Sequence, residues 1–202
     1  ELFPGVLFVL YDPDTFNVTE SRSVILRQEL FTDEMAKKWH GRATLFISDI
    51  RSTVIDCGAP IVTDEVVMAD MAAQERWVRL IRPRVSMLKF RLPYSPGKTT
   101  YLDGTMHLQA FGGRTTSETR LVVKSPTDST VTDFPVRVYD NALHGDAMYR
   151  HNTIKRTTVF VHDVKGRVPG IDGCFDCSSF VWIARLYLTT RRSEEHTSEL
   201  QS

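Results

Sequence analysis

The sequence has few cysteines, no long hydrophobic run and no net charge, and each shortage excludes a class of protein. Its three cysteines, Cys57, Cys174 and Cys177, are an odd number, which argues against a disulfide framework and favours a reducing compartment. No stretch approaches the roughly 20 uninterrupted apolar residues of a transmembrane helix, so no membrane partner is expected. The 25 basic and 25 acidic residues balance, so the net charge provides no general attraction to nucleic acid.

The two ends of the chain differ in character from its middle. Residues 192–202 resemble the translation of a common sequencing adapter, so they are not used to predict the fold. The apolar run Leu7–Tyr11 already has the pattern of a central strand, which indicates that residues 1–191 are a domain fragment whose beginning lies upstream. The chain has 202 residues, 42% of them hydrophobic, which suffices for the core of one domain.

Between the ends, apolar runs alternate with helical patterns. The run Thr44–Ser48 predicts a strand buried on both faces, as in parallel sheets. Thr32 and Thr63 each precede acidic residues and predict the starts of two helices, which end at Gly41 and Pro83. Further predicted elements are strands at Val6–Tyr11, Ser23–Leu26, Val85–Phe90, Thr119–Val123, Val136–Tyr139 and Thr157–Val161, and helices at Asp146–Lys155 and Cys174–Leu188. The segments Thr99–Leu102 and Met106–Ala110 predict an edge strand or a hairpin around Asp103–Gly104.

Charged residues stand at the ends of three predicted strands. Asp49 follows the strand Thr44–Ser48, Lys89 lies near the end of the next, and Glu118 directly precedes another. In open α/β sheets the working groups lie beyond the carboxyl ends of the strands. All three residues can share that edge only if the strand after Glu118 runs antiparallel, which is a known arrangement near the edge of a mostly parallel sheet.

Several of these residues allow two interpretations. A lysine partly withdrawn from water, such as Lys89, has a lowered pKa and can act as a base, but its side chain can also extend from the strand end to solvent. Tyr94, in the following loop, can stack on a nucleic-acid base or cover the sheet edge. Asp12, after the first strand, suits a cofactor ribose or a simple turn, and the residues alone favour the turn.

The pair Cys174 and Cys177 forms a Cys-x-x-Cys motif. A zinc site requires a second pair or nearby histidines, and a redox site requires a strand-to-helix context. Neither is evident in the sequence, so the pair is interpreted as two half-buried core thiols and no metal site is predicted.

Three segments resemble the poxvirus cap-specific mRNA nucleoside 2′-O-methyltransferase, a family that also serves as the small regulatory subunit of the viral poly(A) polymerase. The segments are Ile47–Ser52, Leu88–Tyr94 and Ser117–Leu121, and the likeness runs from about Phe8 to Leu188. The resemblance implies a Rossmann-like S-adenosylmethionine-dependent sheet, mostly parallel with one antiparallel strand and with its first strand missing. Residues 1–191 would then be a methyltransferase fragment from a large DNA virus, inactive alone, from the host cytoplasm or the virion.

The resemblance also implies residue roles. The family's Lys-Asp-Lys-Glu tetrad falls on Asp49, Lys89 and Glu118, while its first lysine and glycine-rich cofactor loop would precede residue 1. The cofactor-binding positions fall on Asp12, Phe31 and Asp49, which reverses the preference for a plain turn at Asp12.

The cap-binding positions depart from the family in part. The aromatic that stacks on methylated guanine falls on Tyr94, but the acid two residues beyond it is Pro96 here. The second cap-binding acid falls around Gly145, with Asp146 adjacent. Arg51 and Arg91 adjoin catalytic positions and are candidate phosphate contacts.

The implied reaction transfers a methyl group from S-adenosylmethionine to the ribose 2′-OH of the first transcribed nucleotide of capped mRNA. The implied partners are capped mRNA and a poly(A) polymerase catalytic subunit. A non-catalytic RNA-binding processivity subunit is the alternative, and a Rossmann-like nucleotide-binding domain of another kind is a third interpretation.

Overall fold

The structure, a computed structural model, describes residues 3, 5–42, 44–126, 133–158 and 168–199, with the backbone alone for residues 191–199. Its elements in chain order are β1 (Phe8–Tyr11), β2 (Val24–Arg27), α1 (Asp33–Lys38), β3 (Leu45–Ser48), β4 (Val54–Asp56), β5 (Ala59–Ile61), α2 (Asp64–Ile81), β6 (Val85–Phe90), β7 (Lys98–Leu102), β8 (Thr105–His107), β9 (Thr119–Lys124), β10 (Val136–Asp140), α3 (Asn141–Thr153) and α4 (Phe175–Glu199). No helix in this part of the chain is long and apolar enough to cross a membrane.

A four-stranded sheet in the order β3-β6-β9-β8 forms the centre of the fold. Strand β3 pairs parallel with β6, whereas β9 pairs antiparallel with both β6 and β8. Three strands therefore run in one direction and β9 runs in the other, which confirms the predicted mixed sheet with one reversed strand. A separate parallel pair, β1 and β2, lies beside α1. The Tyr11 ring of β1 meets that of Phe31, just before α1, edge-to-face, and its hydroxyl accepts a hydrogen bond from Trp39, just after α1.

The helix starts predicted at Thr32 and Thr63 are confirmed. The side-chain oxygens of Thr32 and Thr63 accept hydrogen bonds from the backbone N–H groups of Met35 and Val66, which satisfies a free donor in the first turn of each helix. Helix α2 ends at Ile81 because Arg82 adopts a left-handed conformation and Pro83 follows it.

The core lies where one face of α2 meets the central sheet. The inward side chains of β6 and β9 are fully buried and pack with Val67, Met71 and Val78 of α2 and with aromatic residues of β7 and β10. The apolar stripe of α2 recurs every three or four residues, so one side of the helix meets the sheet. Leu88, Phe90, Leu121 and Val123 are the buried residues that β6 and β9 contribute.

Strand β3 differs from its prediction. Leu45 and Ile47 are 64% and 55% exposed, so the expectation of burial on both faces is wrong. Strand β3 is the outer strand of its sheet, and Phe46, on its other face, packs against the cores that α2 helps to form. An apolar run indicates that both faces of a strand are suited to burial. Whether the second face is buried depends on a covering layer from elsewhere in the chain.

Of the two arrangements predicted around Asp103, the edge strand is confirmed, since β8 is the outer strand beside β9, and the hairpin is wrong. Strand β7 pairs with β10, and β8 pairs with β9, so the two arms do not pair with each other. The backbone of Gly104 passes so close to β9 that an added Cβ would lie 2.6 Å from the Val122 carbonyl oxygen. The chain therefore turns onto β9 instead of folding back on β7.

Smaller differences concern the loops and the second half. Residues 54–61, for which the sequence analysis predicts no strand, form the hairpin of β4 and β5, whose turn residues Cys57 and Gly58 both have positive φ. Helix α3 begins at Asn141, five residues before its predicted start, and α4 continues past Leu188 to Glu199. Of the predicted strand 157–161, Thr157 lies in a 3-10 turn, and residues 159–161 lie outside the described residues.

Candidate active site

Asp49, Lys89 and Glu118 converge at one rim of the central sheet. The Lys89 Nζ lies 3.2 Å from Asp49 Oδ1 and 3.5 Å from Glu118 Oε2. The side chains of Lys89 and Glu118 are only 13% and 12% exposed, whereas that of Asp49 is 63% exposed. The result is an amine between two carboxylates in a niche that opens to solvent on the Asp49 side.

Strand register explains this convergence. Ser48, the last residue of β3, pairs with Leu88 of β6, so Asp49 follows at the level of Lys89. In the antiparallel pair of β6 and β9, Phe90 lies opposite Thr119, which brings the preceding residue, Glu118, to the same rim. The reversed direction of β9 is therefore what places the second carboxylate beside the amine.

Arg120 is a member of this cluster that the sequence analysis missed. Its Nη2 lies 2.9 Å from Asp49 Oδ1, and its Nη1 lies 2.7 Å from Glu118 Oε1. Arg120 pairs directly with Lys89 across the ladder. Its position two residues after Glu118 was the available signal, because residues two apart in a strand point to the same face.

The charges of the cluster favour the ionised form of Glu118. Burial alone would raise the pKa of Glu118, but the hydrogen bond from Arg120 and the charges of Lys89, Arg120 and Arg51 outweigh it and hold that pKa below its usual value. Arg51 Nη2 lies 3.2 Å from Glu118 Oε2. Three cations thus face two carboxylates, and the formal net charge of the five groups is +1.

Helix α3 and helix α2 hold the backbone around the cluster. His144 Nε2 donates to the Ser117 carbonyl at 2.9 Å, and Asn152 donates to the Thr116 carbonyl at 2.7 Å. Burial lowers the pKa of His144, which favours the neutral ring with its proton on Nε2. On the other side, the buried Gln74 amide of α2 donates to the Lys89 carbonyl at 3.0 Å. The end of β6 and the segment before β9 are therefore both fixed by side chains from neighbouring helices.

Tyr94 lines a cavity next to this cluster, and Arg91 packs against the Tyr94 ring. The guanidinium of Arg91 lies 4.1 Å from the centre of the Tyr94 ring, on one of its faces. The carboxylate of Asp64 accepts from the backbone N–H groups of Tyr94 and Ser95, which fastens the loop to the start of α2. The cavity has a volume of about 210 Å³ and is also lined by Asp146 of α3.

The predicted cofactor residues Asp12 and Phe31 lie in other surroundings. Asp12 Oδ1 accepts a hydrogen bond from the Asp14 N–H at 2.8 Å, which is turn geometry. The ring of Phe31 packs between those of Tyr11, Phe46 and Trp77. Through Phe46 of β3 it connects the β1–β2 pair to the central sheet, and its cofactor role stays a prediction.

Comparison with known proteins informs the fold. No protein-family model and no curated protein matches the chain. Among solved structures it is similar to bluetongue virus VP4, which is described as a multifunctional RNA-capping production line. The TM-score is 0.52 and the identity 16%, over 71% of this chain and 24% of the VP4 chain. The chain therefore shares a mixed α/β fold with about a quarter of that viral capping protein, and the poxvirus family assignment stays a prediction from the sequence.

Proposed function

We propose that the chain is part of a Rossmann-like, S-adenosylmethionine-dependent methyltransferase that acts on the ribose 2′-OH of the first transcribed nucleotide of capped mRNA. The observation that carries the proposal is the position of the Lys89 amine, on a largely buried side chain, between the carboxylates of Asp49 and Glu118 at one sheet rim. The likeness of the fold to part of a viral RNA-capping protein supports it.

The residues present fit the cofactor in part. Asp12 is exposed at the carboxyl end of β1, and an acid in that position suits two ribose hydroxyls. Asp49 is the member of the cluster that is most open to solvent. S-adenosylmethionine would supply the methyl group on an electrophilic sulfonium. We assign Asp12, Phe31 and Asp49 to its binding.

Lys89 is the base in this proposal. A ribose hydroxyl is a weak nucleophile and must lose its proton as its oxygen attacks, so the Lys89 amine accepts that proton. The carboxylates of Asp49 and Glu118 hold the amine in place by ion pairs from two sides. Arg120 contacts both carboxylates as well, so each carboxylate is shared between Lys89 and Arg120.

The neighbouring cavity is the proposed cap-binding side. Since Arg91 covers one face of the Tyr94 ring, a guanine base would stack on the opposite face. Asp146 lines the same cavity and supplies an acid near the position where the cap-binding family carries one. The guanidinium groups of Arg51 and Arg91 would contact RNA phosphates.

The partners in this proposal are capped mRNA and a viral poly(A) polymerase catalytic subunit, and the setting is the host cytoplasm or virion of a large DNA virus. The processivity role of the family is compatible with methyl transfer in the same protein. An RNA-binding subunit without turnover is the alternative.

Lys89→Ala tests the proposal in a full-length version of the protein. Methyl transfer from labelled S-adenosylmethionine to capped RNA should fall by about 10²- to 10⁴-fold, the usual contribution of a general base, while cofactor binding is retained. Lys124→Ala is the matched control, because Lys124 lies exposed at the far end of β9. Retained turnover in Lys89→Ala would remove the amine from the mechanism, and RNA binding by an inactive wild type would favour the processivity subunit.

A further inference from the structure

A cluster of three potential metal ligands lies at the start of α4, away from the candidate active site. The carboxylate of Asp172 and the thiols of Cys174 and Cys177 have one donor atom each, and these atoms all lie within 4.8 Å of one another. Asp172 is exposed, Cys174 is half-buried and Cys177 is buried, so the cluster extends from the surface into the domain. The carboxylate is the third donor that the Cys-x-x-Cys motif alone did not reveal.

The donor set selects a particular kind of ion. Thiolates favour Zn²⁺ over Mg²⁺ or Ca²⁺, and Zn²⁺ also accepts carboxylate oxygen. With bonds of about 2.3 Å to sulfur and about 2.0–2.2 Å to oxygen, tetrahedral ligands lie roughly 3.5–3.8 Å apart. A closing movement of about 1 Å from the observed separations would therefore complete the site, which is within the reach of side-chain rotation.

The residues between the two cysteines are already held in place. Asp176 accepts from the Arg156 guanidinium at 2.7 and 2.9 Å, and both side chains are largely buried. Asp176 also accepts from the Phe111 backbone N–H at 3.0 Å. On the other side, the ring of Phe175 packs edge-to-face against His151. This bracing fixes the turn before any ion arrives, so little conformational entropy remains to be lost on binding.

The main competing interpretation is a redox-active cysteine pair. Disulfide formation joins only the two sulfurs with the help of an oxidant, so the Asp172 carboxylate forms no bond in it and serves at most as a proton acceptor. A zinc ion engages all three donors and neutralises the negative charge that the deprotonated thiols would otherwise leave in a partly buried turn.

We propose that Asp172, Cys174 and Cys177 bind one Zn²⁺, with water as the fourth ligand on the exposed side. Each thiol releases its proton to solvent as its Zn–S bond forms. The bound ion ties the turn before α4 to the first turn of that helix and so stabilises this end of the domain.

Cobalt titration of the reduced, metal-free full chain tests the site. Co²⁺ should bind in a 1:1 ratio with a thiolate-to-cobalt charge-transfer band, and Zn²⁺ should displace it and raise the Tm. Absence of this band in the wild type would refute the proposal without any variant. Rapid formation of an intramolecular disulfide together with failure to bind Co²⁺ would also overturn it and favour the redox pair.

Three variants and one control assign the ligands. Cys174→Ser and Cys177→Ser should each weaken the band and lower the Co²⁺ affinity at least about tenfold. Asp172→Asn can still accept the hydrogen bond from the Cys174 N–H, so a loss of affinity there reports on ligation and not on the turn. Cys57→Ser, in the exposed β4–β5 turn, should leave the spectrum unchanged. An unchanged spectrum in both Cys174→Ser and Cys177→Ser, or its loss in Cys57→Ser, would show that the ion binds elsewhere.

Discussion

Glu118 should stabilise the fold in a way that depends on pH. Its carboxylate lies within 3.5 Å of cationic nitrogens on Lys89, Arg51 and Arg120, and its side chain is mostly buried. Glu118→Gln keeps the size of the side chain but removes the charge, which leaves three cations facing one remaining carboxylate, Asp49. A hydrogen bond to a charged group contributes roughly 1.5–3 kcal/mol, so we expect a loss of about 2 kcal/mol in the free energy of unfolding at pH 7.

The pH dependence follows from the direction of the pKa shift. The pKa of Glu118 in the folded protein lies below the ordinary value of 4.5. On acidification, Glu118 therefore becomes protonated in the unfolded chain before it does in the folded protein. The stabilisation that its carboxylate provides above the ordinary pKa is lost as the pH falls through the lower pKa of the folded protein. Glu118→Gln lacks this titration, so the difference between the two proteins should be largest near neutral pH and shrink on acidification below pH 4.5.

Urea unfolding of both proteins at a series of pH values between about 7 and 3 measures this difference. Glu34→Gln is the control, because Glu34 pairs with Lys37 on the exposed surface of α1 and should cost at most about 0.5 kcal/mol. Equal stability of Glu118→Gln and wild type at pH 7, or a difference that stays constant on acidification, would refute the ion cluster.

Two further predictions concern the core and the loop that carries Tyr94. Leu121→Ala should cost about 2–5 kcal/mol in urea unfolding because Leu121 is completely buried, whereas Leu45→Ala, at a 64% exposed position, should cost at most about 0.5 kcal/mol. Equal costs would contradict the assigned core. Asp64→Ala should destabilise the protein by about 1–3 kcal/mol, because it leaves the Tyr94 and Ser95 N–H groups without their acceptor. Faster hydrogen exchange confined to that loop would accompany it, and unchanged exchange would contradict the anchoring.

Much of the local structure could be predicted from the sequence. Thr32 and Thr63 cap their helices as expected, since capping depends on a side chain and the N–H groups within three residues of it. The apolar runs predicted β3, β6 and β9 to within a residue or two. Asp49 follows the first of these strands, Lys89 lies in the second and Glu118 precedes the third. The reversed direction of β9 followed from the requirement that all three charges share one rim.

Other features could not be read from the sequence because they depend on which distant segments pair. The patterns of β7 and β8 are those of two short strands, but neither pattern names its partner, and the close passage of Gly104 along β9 decided against a hairpin. Likewise, an apolar run cannot reveal that one face of β3 has no covering layer among the described residues.

The sequence by itself determined the starts of α1 and α2, the positions of β3, β6 and β9, and the three residues that meet at the rim, because each depends on neighbouring residues or on strand direction alone. Only the tertiary structure decided that Arg120 lies opposite Lys89 and bridges both carboxylates, and that Asp172 joins the two cysteines. These contacts arise from ladder register and from the path of a turn. A shift of one residue in the register of β6 and β9, or an insertion of one residue in the turn, would remove the corresponding contact. The local pattern of the sequence would remain almost unaltered.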